Sequence, residues 1–369
     1  MSSANVALGI LEAAGVPTNG PQPWSIQVHN ERLWDRVISQ RQLGFGESYM
    51  DGWWDCPELD TMISKLLAIN PLEYFKPSPT LALHAVRSYL RNNQTKNRAA
   101  KNAKHHYNIG NDLYTRMLDQ EMVYSCGYWA RASTLAEAQL AKFDLICRKL
   151  DLKPGMRLLD IGSGWGGFLR YAVKNYHVVG TGISPAENQI DLARQKSVGL
   201  HINFIQQDYR DLQGKFDRIV SIGMMEHVGP KNYRVFFEKC DDLLEVHGQM
   251  LHHTISSNLT KQVTDPFFER YIFPGGVLPS LAQIAKAAEN LFVIEDVQNF
   301  GPDYDRTLME WHKNISSTWH EIPQYDERFK RMWNYYLLAS AAGFRTGNLQ
   351  LLQCVFQRNG QRPTYIASR

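Results

Sequence analysis

The sequence of 369 residues has no run of eighteen or more apolar residues, although 44% of its residues are hydrophobic. A membrane-spanning helix needs roughly 20 apolar residues, so we expect none. The first twenty residues lack a basic start followed by an apolar core, so we also expect no signal peptide. The five cysteines form no C-x-x-C pair, and no histidine or acidic spacing resembles a metal site. We therefore expect a cytoplasmic protein without disulfides or metal.

Acidic residues are missing between Glu73 and Asp112, a stretch that contains seven basic residues. The basic residues are Lys76, Arg87, Arg91, Lys96, Arg98, Lys101 and Lys104. Each cation near an anionic membrane surface gains roughly 1 kcal/mol, so this segment could hold the protein at a lipid surface. The alternative is a solvated linker that happens to be basic. The net charge of +3 is small, and no nucleic-acid-binding signature accompanies the segment, so we expect no nucleic-acid partner.

The chain divides into three predicted regions. Residues 1–90 indicate a small, mostly helical domain, and residues 91–105 a basic linker. Residues 106–369 form the largest region, in which short apolar strands alternate with helices from about residue 153 onwards. This alternation predicts an α/β fold with a doubly wound, Rossmann-like parallel sheet covered by helices on both faces. Residues 264–321 interrupt the alternation and indicate an aromatic-rich insertion.

The sharpest motif is a glycine-rich loop after the first predicted strand of that region, with the sequence LLDIGSGWGG over residues 158–167. Gly162, Gly164 and Gly167 satisfy G-x-G-x-x-G, which also occurs in dinucleotide-binding proteins. Such proteins carry an acid at the end of the second strand, whereas here no acid follows until Glu187. Asp160 precedes the loop, where a carboxylate would repel a pyrophosphate but suits the ammonium group of S-adenosylmethionine (SAM). We therefore favour SAM over a nicotinamide or flavin, with Asp208 after the third strand as an acceptor for the adenine amino group.

Five further motifs resemble those of the cyclopropane-fatty-acyl-phospholipid synthases and the related mycolic-acid cyclopropane synthases. They are GFGESYMDGWW at 44–54, HYNIGND at 106–112, YSCGYW at 124–129, GMMEHVG at 223–229 and YIFPG at 271–275. The resemblance covers nearly the whole chain. It identifies residues 106–369 as a SAM-dependent methyltransferase domain.

The resemblance implies that SAM transfers a methylene group to the cis double bond of an unsaturated phospholipid acyl chain, forming a cyclopropane ring. The intermediate carbocation would lose a proton to a bound bicarbonate, in a site that excludes water. Two alternatives remain open, namely methylation of the same double bond without ring closure and methylation of a small soluble molecule. A lipid-binding protein that has lost its chemistry is a third, and the intact glycine loop argues against it.

The resemblance also assigns residues. The bicarbonate site would comprise Cys126, Glu226, His253, Tyr304 and the main chain of Ile255. SAM would contact Tyr124, Ser125, Asp160, Gly162, Ser163, Gly164, Gly166, Ser184, Asp208 and Tyr209, with either Gln189 or Glu187 meeting the ribose. Ser163 stands where many relatives carry cysteine, which should matter little at a turn that binds through its backbone. Strand alternation predicts that His252 and His253 face opposite sides of the sheet, so only one of them enters the site.

The partner implied by the resemblance is an unsaturated phospholipid in a bilayer. The segment 76–104 would make a peripheral contact with the inner face of the membrane, and the N-terminal domain would help to engage lipid. The aromatic residues of 264–321 would line an acyl-chain channel, although aromatic residues are more commonly core residues. The resemblance also implies a homodimer, which is the usual assembly in this family.

Overall fold

The structure is a computed structural model and describes residues 3–69, 110–261, 264–360 and 364–369. Its α-helices, numbered along the described residues, are α1 (Ser3–Ala13), α2 (Leu33–Met50), α3 (Leu59–Ala68), α4 (Asn111–Met117), α5 (Leu135–Lys149), α6 (Gly167–Tyr176), α7 (Glu187–Lys196), α8 (Met225–Val228), α9 (Tyr233–Leu243), α10 (Pro266–Tyr271), α11 (Leu281–Ala288), α12 (Gly301–Thr318) and α13 (Glu327–Arg345). Its strands are β1 (Gln27–Val28), β2 (Trp54–Asp55), β3 (Arg157–Ile161), β4 (Val179–Ser184), β5 (Ile202–Gln206), β6 (Phe216–Ile222), β7 (Leu244–Ser257), β8 (Phe292–Asn299) and β9 (Leu349–Arg358).

The described residues fall into two compact units that alternate along the chain. Unit 1 comprises residues 3–69, 264–274 and 304–349, and unit 2 comprises the remaining described residues. The range 264–321, predicted to be an insertion, contributes to both units, and its role as an acyl-chain channel stays a prediction. The predicted boundary at 90 and the linker 91–105 lie outside the described residues.

Unit 2 contains a seven-stranded sheet in the order β5-β4-β3-β6-β7-β9-β8. Strands β3 to β7 pair in parallel with one another, whereas β8 pairs antiparallel with β9. The chain winds from β3 towards β5 on one side and from β6 towards β7 on the other. The direction therefore reverses between β3 and β6, and in such sheets ligands bind at the carboxyl ends of the strands that flank this reversal.

Helices pack on both faces of this sheet because successive side chains of a strand point to opposite sides. In β3, Leu158 packs in a cluster with Phe143 of α5 and Phe168 of α6. Its neighbour Leu159 packs in a second cluster with Phe236 of α9. The predicted doubly wound α/β sheet is therefore confirmed.

Unit 1 is mostly helical in its described part, with a two-stranded ladder of β1 and β2. Helix α13 packs against α2 and α3. At Gly46 in α2, a Cβ atom would lie 2.4 Å from the ring of Phe267, so glycine is required there. Phe267 itself is buried, with its ring centroid 4.7 Å from that of Tyr335. Among the described residues, no helix combines the length and the apolar character needed to cross a membrane.

Candidate active site

The glycine loop connects the end of β3 to the start of α6. Gly162, Gly164 and Gly166 all have positive φ values, which are 87°, 53° and 78°. The amides of Gly162 and Ser163 donate to the carbonyl oxygen of Ile183 in β4, at 2.9 and 3.1 Å. A Cβ atom at Gly166 would lie 2.5 Å from the ring of Phe204, so the loop needs glycine there for space as well as for conformation. The sequence therefore produces a tight turn at the carboxyl end of the central strand.

Asp160 is the acid that precedes this loop, and it lies in the interior with 2% of its surface exposed. Burial raises the pKa of its carboxyl group to about 7, and the nearby Lys142 opposes that rise. Its Oδ1 atom has no hydrogen-bond partner among the described residues. A buried carboxylate oxygen without a partner is costly, so this atom fits a cationic ligand such as an ammonium group.

Ser184 and Gln189 lie together after β4. The Ser184 hydroxyl donates to Gln189 Oε1 at 3.2 Å and accepts from the amide of Ala186 at the same distance. Gln189 is buried, whereas Glu187 at the start of α7 is exposed. Of the two predicted ribose contacts, Gln189 is thus the one held beside Ser184.

Asp208 follows β5 and caps the short 3-10 helix Tyr209–Asp211. Its two oxygens accept hydrogen bonds from the guanidinium group of Arg210, both at 2.7 Å. Oδ1 also accepts from the main-chain amide of Arg210 at 3.0 Å, and the role of Asp208 as an acceptor for the adenine amino group stays a prediction. Tyr209 is buried, with its ring centroid 5.4 Å from that of Phe236. The structure thus places the Tyr209 ring in the core of unit 2.

Tyr124, Ser125 and Cys126 lie in the segment that precedes α5. The ring centroid of Tyr124 is 5.1 Å from that of Tyr114, which in turn is 5.2 Å from that of Trp165 in the glycine loop. Cys126 is buried, and its thiol donates to the carbonyl oxygen of Gly127. The ring contacts bring this segment next to the glycine loop, as the SAM assignment of Tyr124 requires.

Glu226 in α8 and Ile255 in β7 are directly hydrogen-bonded. The main-chain amide of Ile255 donates to Glu226 Oε1 at 2.7 Å. The other oxygen, Oε2, has no partner among the described residues. Burial raises the pKa of Glu226 to about 7, although the hydrogen bond from Ile255 lowers it. Near neutral pH a substantial fraction of Glu226 is therefore protonated and able to donate from a buried position.

His253 lies in β7, level with Ile222 at the end of β6. Gln353 Nε2 is 3.2 Å from His253 Nδ1, while His253 Nε2 has no partner among the described residues. With the Gln353 amide donating to Nδ1, the imidazole hydrogen sits on Nε2, which is then a buried donor. Burial lowers the pKa of His253 well below its usual value, and the positive charge of Lys142 lowers it further.

The predicted opposite orientation of the two histidines is confirmed. The ring of His253 faces Phe300, with centroids 5.7 Å apart, whereas the ring of His252 packs near Phe236 and Phe237 on the other face of the sheet. Burial lowers the pKa of His252 to about 3, so it is neutral. His252 is thus a core residue.

Tyr304, the remaining candidate, belongs to unit 1. Its ring stacks on that of Phe344 with centroids 4.5 Å apart, and it meets the ring of Trp311 edge-on. Its role as a bicarbonate contact stays a prediction.

Sequence reasoning missed Lys142, which interacts electrostatically with Asp160, Cys126 and His253. Its side chain is fully buried in α5. The capping box of Thr134 and Glu137 fixes where this helix begins. From that start, Lys142 falls on the buried stripe formed by Ala138, Leu145 and Ile146. A lysine within an apolar stripe was the available signal. For Gln353 there was none, because it lies 100 residues from His253 in the sequence.

A family model described as mycolic acid cyclopropane synthetase matches residues 94–354. The cyclopropane-fatty-acyl-phospholipid synthase of Escherichia coli K12 is 48% identical over 367 residues, which is 98% of this chain and 95% of that protein. The solved cyclopropane synthase MmaA2 from Mycobacterium tuberculosis is similar with a TM-score of 0.66 and 31% identity, covering 70% of this chain and 98% of that one. Mycolic acid cyclopropane synthase CmaA1, solved with SAH and CTAB, has a TM-score of 0.65 and 33% identity over the same shares.

Proposed function

Since the chain belongs to the mycolic acid cyclopropane synthetase family, we propose that it transfers a methylene group from SAM to the cis double bond of an unsaturated phospholipid acyl chain, closing a cyclopropane ring. The match to the family model and to the Escherichia coli enzyme confirms the family and the enzyme class predicted from the sequence. The observation that supports the ring-forming reaction is a pair of buried, partnerless polar atoms, Glu226 Oε2 and His253 Nε2.

The residues around the glycine loop fit SAM. Asp160 offers a buried carboxylate oxygen to its ammonium group, and the positive-φ glycines leave backbone open for close approach. Ser184, Gln189 and Asp208 supply polar groups after the next two strands. When bound, SAM supplies the electrophilic methyl group.

Glu226, His253 and Ile255 form what we call the base cluster. Glu226 and His253 fit a small oxyanion such as bicarbonate, while the amide of Ile255 donates to Glu226 Oε1. A protonated Glu226 and an Nε2-protonated His253 are both donors, and an oxyanion accepts from donors. Cys126 and Tyr304 are the further contacts we propose. When bound, bicarbonate supplies a base for the proton that leaves the transferred methyl group.

The base cluster also meets the demand for a dry site. Glu226 is 7% exposed, His253 1% and Cys126 0%. Water would capture a carbocation, and burial keeps it away while the side chains hold the proton acceptor in place. The Ile255 amide fixes one oxygen of Glu226, and the other, Oε2, has no partner among the described residues.

We also propose that the enzyme acts at the surface of a bilayer, through the basic segment 76–104, and that it works at the inner face of the membrane. The support is the sequence alone, since these residues include seven cations and no acid. The predicted homodimer stays a prediction.

The acceptor is tested by incubating the purified protein with SAM and three kinds of phospholipid vesicle, whose acyl chains are cis-unsaturated, trans-unsaturated or saturated. Release of S-adenosylhomocysteine should require cis-unsaturated chains. Equal release with saturated chains, or with a small soluble amine and no vesicles, would overturn the lipid acceptor and favour a small-molecule methyltransferase.

The membrane contact is tested by replacing Lys96, Arg98, Lys101 and Lys104 with glutamine. A matched control replaces four exposed lysines elsewhere, namely Lys153, Lys174, Lys286 and Lys313. Sedimentation with anionic vesicles should weaken for the first variant and not for the second, and added salt should reduce the difference. Equal binding by both variants would leave the basic segment as a solvated linker.

A further inference from the structure

Two side chains of α5 hold Ser125. Gln139 Nε2 donates to the carbonyl oxygen of Ser125 at 2.8 Å, and Lys142 Nζ donates to its hydroxyl oxygen at 2.7 Å. Residues three apart lie on the same face of a helix, so both contacts come from one stripe. Both side chains are fully buried. The helix therefore fixes the main chain and the side chain of Ser125 together.

The chemistry of this contact decides where the serine hydrogen points. An ammonium group has only hydrogens to donate, and a hydroxyl group has one hydrogen and two lone pairs. When Lys142 is charged, Ser125 therefore accepts from it and keeps its own hydrogen for another acceptor. Among the described residues its hydroxyl group donates to none, although Ser125 is only 8% exposed. A buried donor without an acceptor is costly, which indicates a ligand.

The surrounding charges indicate an anionic acceptor for that hydrogen. Burial lowers the pKa of Lys142 to about 7, while Cys126, Asp119 and Asp160 favour its charged form. Lys142 also helps to lower the pKa of the nearby His253, which burial keeps neutral. Among the described residues, no carboxylate lies within 4.0 Å of the Lys142 ammonium group, so no direct ion pair neutralises its charge. The amino-acid end of SAM carries both a carboxylate and an ammonium group, and Asp160 suits the latter.

We propose that Lys142 is a positioning residue that, together with Gln139, orients the Ser125 hydroxyl group so that it donates to the carboxylate of bound SAM. The proposal rests on the proposed function, because it takes SAM as the ligand. It adds a residue that acts through Ser125 and does not itself touch the substrate. A buried lysine in this role is a specificity device, since it favours ligands that carry an anionic group at that position.

The test is a double-mutant cycle measured by calorimetry with two probes, SAM and decarboxylated SAM. Ser125→Ala and Lys142→Met should each weaken SAM binding roughly tenfold or more. The affinity of the double variant for SAM should lie within about twofold of that of the single variant that binds SAM less tightly. Decarboxylated SAM should bind all four proteins alike. Additive losses, or equal losses for both probes, would overturn the proposal, as would a Lys142→Met variant that binds SAM as the wild type does.

Lys149→Met is the matched control, because Lys149 is also a fully buried lysine of α5 but pairs with Asp296. It should leave the affinity for SAM unchanged. If Lys142→Met does not fold, Lys142→Leu, which also lacks a donor, takes its place with the same expectations. Wild-type protein that binds neither probe would overturn the proposed function and the inference together, whereas wild-type binding of SAM with an unaffected Lys142 variant would overturn the inference alone.

Discussion

The glycine loop and the base cluster lie at the ends of neighbouring strands, but they are built from different chemical groups. The loop is a backbone structure, in which positive φ values and close packing demand glycine at named positions. The base cluster consists of buried side chains, with Glu226 and His253 each leaving one polar atom without a partner. The first region should therefore tolerate changes of side chain that keep its conformation, and the second should not.

The two regions also differ in how their carboxyl groups are used. Burial raises the pKa of both Asp160 and Glu226 to about 7. Asp160 has Lys142 as an opposing charge, whereas Glu226 has the neutral amide of Ile255. This difference suits a carboxylate that binds a cation in the loop and a carboxylic acid that donates in the base cluster.

The largest effect should come from Glu226→Gln. Glutamine keeps the shape and a donor, but it cannot take up the proton that the bound base receives, so ring formation should fall roughly a hundredfold or more while SAM affinity stays within about twofold. The measurement is acyl-chain analysis together with SAM calorimetry on the same preparation. Glu238→Gln, at an exposed position of α9, is the control and should retain full activity. Near-normal ring formation by Glu226→Gln would contradict the assignment.

The same variant gives a pH test of stability. The raised pKa of Glu226 means that folded protein binds a proton more tightly than unfolded protein does. This contribution to stability is complete below the unfolded value near 4.5 and is lost as the pH rises through about 7. Glu226→Gln should therefore gain stability relative to the wild type as the pH rises across that window, as measured by urea denaturation. A constant difference would show that the carboxyl group is not perturbed.

Asp160→Asn should have the next largest effect. Unlike Glu226→Gln, it should impair SAM binding and leave ring formation largely intact. Loss of the charge should weaken SAM binding roughly tenfold or more, because a hydrogen bond to a charged group contributes about 1.5–3 kcal/mol. Ring formation at saturating SAM should stay close to that of the wild type. Asp191→Asn, at an exposed site of α7, is the control. A variant with normal SAM affinity but slow ring formation would move Asp160 into the base cluster.

Gln353→Leu should have a moderate effect, since it removes the hydrogen bond that orients His253. We expect ring formation to fall by about tenfold, which corresponds to about 1.4 kcal/mol, with SAM affinity unchanged. Gln357→Leu replaces a second buried glutamine on the same face of β9 and should be close to neutral. Equal defects in the two variants would mean that Gln353 acts only through packing.

The smallest effect should come from Ser163→Cys in the glycine loop. Its amide, and not its hydroxyl group, contacts Ile183. Steady-state assays should therefore give SAM affinity and turnover within about twofold of wild type, since changes away from special contacts are usually small.

Gly166→Ala, by contrast, should lower the melting temperature. Alanine is strained at the positive φ of this position, and its Cβ atom would clash with the ring of Phe204.

Sequence could predict the parts of this structure that depend on local pattern. Buried parallel strands are continuous apolar runs, as in Leu158, Leu159 and Ile161 of β3, and glycines mark the turn that follows. Strand alternation separated His252 from His253 because it depends only on spacing. The loop, the alternation of strands and helices and the family were accessible for these reasons.

The parts that sequence could not predict depend on contacts between distant residues. Gly46 meets Phe267, and this packing places residues 264–274 in the same unit as α2. The ion pair of Asp208 with Arg210 is local, but whether the two side chains meet depends on the turn that the backbone adopts. The hydrogen bond from Lys142 to Ser125 joins α5 to a segment outside that helix, so helical periodicity could not predict this partner.

The most direct test of the whole account is to incubate the purified protein with SAM whose methyl group is fully deuterated and with vesicles of cis-unsaturated phospholipid, and then to analyse the acyl chains by mass spectrometry and proton NMR. We predict a cyclopropane ring that retains two of the three deuterium atoms, because the third leaves as the ring closes. A methyl branch that retains all three would keep SAM and the lipid acceptor but contradict the role of the base cluster. Lipid without any label, from protein that still binds SAM, would contradict the proposed function itself.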